Sequence, residues 1–74
     1  MSKIPPLSSR EIIKILYHFG FKQVRQTGSH IHLFNEETRR LVTIPNYREV
    51  ATGTLLPILK QAGIEKKEFL SHTK

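Results

Sequence analysis

From His30 to Phe34 the chain alternates. Ile31 and Leu33 point to one side of an extended strand, and His30, His32 and Phe34 point to the other. Val42 and Ile44 repeat the same period further along. A sheet built this way has one apolar face to bury and one face left in water, the pattern of antiparallel strands. With 74 residues in all, the cover has to come from the flanking stretches of helical period.

The first of these follows an extended lead-in at Pro5-Pro6. Ser8 and Glu11 have capping-box spacing, and Leu7 is placed to staple onto Ile12. Ile12, Leu16 and Phe19 recur at helical steps, with Ile13 and Ile15 widening the stripe, and Gly20 supplies the stop. The spacing predicts a helix over 9–19. Three β-prone runs follow: 21–26, 30–34 and 39–44. The turn Thr27-Gly28-Ser29 separates the first pair, the polar loop Asn35-Glu36-Glu37-Thr38 separates the second, and Pro45 closes the third. After a loop over 46–52, Leu55, Ile58, Leu59 and Ala62 predict a second helix stopped by Gly63. With Thr54 as N-cap, Pro57 falls at N3 and removes no intrahelical donor. Ile64 and Phe69 are expected to pack back through a short last turn, and 71–74 to fray. The expectation is one α+β domain over 1–74, with 1–7 as an extended lead-in. A three-stranded antiparallel sheet carries two helices on one face.

Size limits function. A chain of this length buries only ~60% of the surface it exposes unfolded, and its core supplies ~3–5 kcal/mol net. A dinucleotide-binding sheet or an enclosed substrate cavity does not fit, so an active site should be shallow and face a large partner. The chain has no Cys and no Asp, which removes disulfide scaffolds, thiolate zinc sites, Asp-led metal loops and Asp-led triads. Residues 1–6 hold no apolar stretch of the kind a secretory signal needs. No window reaches the ~18 apolar residues of a membrane span. A cytoplasmic protein with no membrane partner is expected. Twelve Lys and Arg against six Glu leave a formal charge of +6, which favours an anionic partner, either nucleic acid or an acidic protein. The plainer reading is a solvated basic surface.

Few residues offer chemistry. Ser29 adjoins His30, but strand neighbours point to opposite faces, which argues against a serine nucleophile. His30 and His32 share a face, yet a zinc site wants three or four ligands and no third is evident; neither metal nor cofactor is expected. His30 is the strongest single candidate. An imidazole can accept or donate a proton near neutrality, and RNA carries its own nucleophile, the 2′-hydroxyl. A base for that proton and cations for the phosphate would suffice for transesterification. Lys22, Arg25, Arg39, Arg40 and Lys60 are the candidate cations, and Gln26, Gly28, Ser29, His32 and Tyr47 complete the candidate RNA-contacting set. If Val24 faces the core, Arg25 projects to the same open face as His30 and His32. The alternative for His30 is a half-exposed strand histidine with no task.

Gly20-Phe21, Arg25-Gln26-Thr27-Gly28-Ser29-His30, Ile44-Pro45, Gly53-Thr54-Leu55 and 58–64 (ILKQAGI) occur in the order found in the HicA, or YcfA-like, toxin family. The chain resembles that family from about Ser9 to Leu70. The resemblance implies a fold like a double-stranded-RNA-binding domain and an mRNA interferase activity that arrests translation and growth. It also implies a HicB-like antitoxin partner, a monomer when free of antitoxin, and catalysis by the histidine that falls on His30. One position departs from the pattern. Many members carry His two residues after the proline that closes the third strand, where this chain has Tyr47. Two alternatives stand beside the toxin reading: a non-catalytic module for double-stranded RNA, and a protein-interaction domain with a basic face.

Overall fold

A computed structural model describes residues 7–73. The lead-in expected over 1–7 lies, apart from Leu7, outside the described residues. The element order is α1 (Ser9–His18), β1 (Phe21–Thr27), β2 (His30–Asn35), β3 (Arg40–Pro45), α2 (Thr52–Ala62) and α3 (Lys66–Leu70). The sheet is antiparallel in the order β1-β2-β3, and the fold is the expected α+β arrangement.

The capping box forms as the sequence spacing requires. Ser8 Oγ accepts from the Glu11 N–H at 3.1 Å, and Glu11 Oε1 accepts from the Ser8 N–H at 2.9 Å. Leu7 and Ile12 are both buried in the core. The helix ends at Gly20, whose φ of +94° is costly for any side chain. Ile12, Ile15 and Leu16 of α1 face Ile31, Leu33, Val42 and Ile44 of the sheet, with Leu55, Ile58, Leu59, Ala62, Ile64 and Phe69 closing the other side.

Two expectations for the second half need correction. α2 starts at Thr52 behind an Ala51 N-cap, so Thr54 is not the cap and Pro57 is the sixth helical residue rather than N3. The reason lies just upstream. Val50 is buried and its N–H donates to the Leu7 carbonyl at 2.7 Å, which fixes the chain up to Ala51. The Ala51 carbonyl then accepts from both Thr54 and Leu55 at 2.9 Å, and the helix is under way. Pro57 cannot donate to the Gly53 carbonyl, but Gly53 is exposed and water can take that place. The helix closes as expected at Gly63 (φ +74°). Ile64 N–H donates to Leu59 and Gly63 N–H to Lys60, the paired bonds of a Schellman motif.

The second correction concerns Asn35 and Arg39. Asn35 is the buried last residue of β2, not a loop residue, and Arg39 belongs to the turn with φ +62°. Asn35 organises this corner. Its Nδ2 donates to the Phe19 carbonyl at 2.9 Å, and its Oδ1 accepts from Glu37 (2.9 Å) and Thr38 (3.3 Å). Asn35→Ala would leave the Phe19 carbonyl and two turn amides without these partners. We expect a loss of ~1–3 kcal/mol, read as a lower urea midpoint with an unchanged m-value.

At the C-terminus, where fraying was expected, His72 stacks on His18 with ring centroids 5.3 Å apart and meets Phe19 edge-on.

Candidate functional site

The two-residue hairpin Gly28-Ser29 joins Thr27 to its partner His30. Gly28 has φ +58° and Ser29 does not have a positive φ, the sign pattern of a type II′ turn with glycine at its first central position. The turn delivers His30 as the exposed first residue of β2, on the sheet face that carries no helix.

Three cross-strand rows make up that open face. Thr27, His30 and Pro45 form the first row, Arg25, His32 and Thr43 the second, and Lys22, Phe34 and Leu41 the third. His32 is half-buried, and its Nδ1 lies 3.1 Å from Thr43 Oγ1. Arg25 stands diagonally across from His30, a Cα separation of about 7–8 Å in such a sheet that a guanidinium can span. The face therefore grades from imidazole and guanidinium at the hairpin end to Phe34 and Leu41 at the other.

Arg25 reaches this face by a route the sequence reading did not foresee. Val24 does not face the core; it is 55% exposed. The pairing slips between Gln23 and Arg25, leaving Val24 as the extra residue of a β-bulge. Phe21 is anchored in the core at one end of β1, and Thr27 is fixed by the hairpin at the other. Seven residues in β1 stand against six in β2, so one must be extruded. The bulge resets the alternation, and Phe21 points inward while Arg25 still points outward.

The fold brings together Arg25, Gly28, Ser29, His30 and His32, whereas Lys22 shares their face but stands in the third row beside Phe34, at the opposite end from the hairpin. Gln26 faces the other way, and its amide donates to the Gly28 carbonyl at 3.2 Å, bracing the turn. Tyr47 lies just beyond, exposed in the loop after β3. Three proposed cations sit elsewhere. Arg39 is in the β2–β3 turn at the far end of the sheet. Arg40 pairs with Asn35 on the helix-covered face, where it lies against Gly63 and donates to the Gln61 carbonyl at 3.3 Å. Lys60 is exposed on α2, behind the sheet.

Ser9 was not singled out by the sequence reading. It is buried, at 2% exposure. Its N–H donates to the Tyr47 carbonyl at 3.1 Å, its Oγ accepts from the Tyr47 N–H at 2.7 Å, and that Oγ also bonds the Pro45 carbonyl. The Asn46 N–H donates to the Ser29 carbonyl at 2.7 Å. The start of α1, the 45–47 loop and the catalytic-candidate hairpin are thus one hydrogen-bonded unit. A signal existed: Ser9 precedes Ile12 and Leu16 by three and seven residues, so it is a polar residue on the core stripe.

Among the described residues no three His, Cys, Asp or Glu side chains group as metal ligands, and no helix is long and apolar enough to cross a membrane. No curated protein matches the chain. The family model described as the HicA toxin of bacterial toxin–antitoxin systems matches residues 9–64. The match runs from the buried Ser9 to the Ile64 that closes α2, and so takes in every element that builds the histidine face. The chain belongs to the HicA family, the toxins of bacterial toxin–antitoxin systems.

Proposed function

We propose that this toxin is a metal-independent endoribonuclease that cleaves mRNA across the open face of its sheet. The observation that carries this reading is His30, an exposed imidazole at the hairpin end of that face with Arg25 one row away. In the proposed step His30 takes the proton of the ribose 2′-hydroxyl as its oxygen attacks the adjacent phosphorus. The new O2′–P bond forms, the P–O5′ bond breaks, and the imidazolium or water protonates the leaving 5′-oxygen. The products are a 2′,3′-cyclic phosphate and a 5′-hydroxyl. Arg25 supplies positive charge to the phosphoryl oxygens as charge develops there, and His32, held by Thr43, flanks the path of the strand. Cleaved mRNA stops translation and growth, which places the activity in the cytoplasm.

The partner in this reading is a HicB-like antitoxin covering the same face, and the free toxin acts as a monomer. Exposed Leu41, in the row with half-buried Phe34, offers that antitoxin an apolar anchor.

The test uses a short RNA and its copy with one 2′-deoxy sugar at the cleaved position. Cleavage of the RNA is expected to continue in EDTA and to vanish for the deoxy copy. A requirement for divalent metal, or cleavage of both substrates alike, would remove the 2′-hydroxyl mechanism.

A further inference from the structure

A depression lies between the start of α1 and the loop after β3, lined by Ser8, Arg10, Asn46, Tyr47 and Arg48. We propose that it is a second RNA subsite, which takes the phosphate and base of a nucleotide flanking the scissile one. The inference rests on the endoribonuclease reading above and extends it to substrate recognition.

Three observations converge on it. The first is position. Asn46 follows Pro45, the cross-strand partner of His30, and its N–H is bonded to the Ser29 carbonyl. A strand lying on the open face and leaving past the hairpin runs over Pro45 directly into the depression. The second is charge. Its lining holds two guanidiniums and no carboxylate. Glu11 is close in sequence, but its carboxylate is turned back onto the Ser8 N–H, and Glu49 does not line the site. Arginine matches a phosphate with two parallel donors. The third is rigidity. Ser9 pins both the N–H and the carbonyl of Tyr47, yet the Tyr47 side chain is 55% exposed. An aromatic ring held in water on a fixed backbone is a stacking surface whose ordering cost is met before the base arrives.

The experiment measures binding of a short single-stranded RNA by fluorescence anisotropy over a range of salt, with every variant built on His30→Ala so that the probe stays intact. The pair Arg10→Gln/Arg48→Gln is expected to reduce the slope of log K against log salt by about 1.4, two phosphate contacts on a single strand. The pair Lys66→Gln/Lys67→Gln removes the same charge from α3 and is expected to leave the slope unchanged. Tyr47→Ala should weaken binding about tenfold, whereas Tyr47→Phe, which keeps the ring, should stay within about twofold. Circular dichroism checks that each variant is folded. An unchanged slope for the arginine pair, or an equal loss for the lysine pair, overturns the subsite. So does intact RNA binding with weakened antitoxin binding, which would assign the surface to a protein. Absence of cleavage by the unsubstituted chain would sink the endoribonuclease reading separately, and the binding measurements would still decide the subsite.

Discussion

His30→Ala is expected to lower RNA cleavage by about 10²–10⁴-fold, the usual contribution of a positioned acid–base group, and to abolish growth arrest on regulated expression. The fold should not notice. His30 is exposed at the hairpin end of the open face, outside the core, and exposed substitutions of this kind change stability by about 0.5 kcal/mol at most. The readout therefore has two parts: total RNA after induction, and the thermal melt of the purified chain. Loss of cleavage with an unchanged melt fits proton transfer by His30. Undiminished cleavage by the folded variant would take His30 out of the mechanism. His32→Ala is the useful comparison, because that ring is already engaged by Thr43 and a general loss of any imidazole from the face should then be milder.

Leu33→Ala should also silence the toxin, for a different reason. Leu33 is fully buried in the central strand, beside Val42 and under α1 and α2. Cutting such a side chain to alanine costs ~2–5 kcal/mol, while a core of this size supplies ~3–5 kcal/mol net. The variant should populate the unfolded state at growth temperature and show a collapsed urea midpoint. Leu33→Met, which conserves volume, should cost less than about 1.5 kcal/mol and keep activity. A cooperative, wild-type-like melt for the alanine variant would mean that the core is not centred on this strand. Together the two substitutions separate loss of chemistry from loss of fold, since only one of them moves the melt.

The parts of the fold legible in the sequence were those set by local chemistry. Ser8 and Glu11 announced the start of α1, Gly20 and Gly63 its end and that of α2, and the alternation from His30 to Phe34 assigned the two faces of β2. What escaped was set by distant partners. The start of α2 depends on Val50 bonding to Leu7, far back in the chain, so propensity and a candidate cap at Thr54 pointed to the wrong residue. In β1, Phe21 and Val24 are spaced so that strict alternation cannot bury both, and only the anchored ends of the strand decide that Val24 is extruded. The candidate site divides in the same way. His30, Gly28 and Ser29 were readable as a contiguous motif. The basic residues were readable as a list but not as a surface: Arg40 turned out to close the end of α2, and Arg39 to form a turn at the opposite end of the sheet from His30.

The Val24 bulge also bears on how copies of this protein meet one another. A three-stranded sheet has two unpaired margins, and such margins invite strand-to-strand association and aggregation. On β1 the bulge at Val24 breaks the regular ladder halfway along, between Gln23 and the cationic Arg25. On β3 the strand runs from the cationic Arg40 to Pro45, which has no N–H to offer a neighbour. The extra residue that turns Arg25 toward the open face thus also spoils the sheet margin as a template, so one irregularity sets both which side chains the face presents and how poorly its edge can pair.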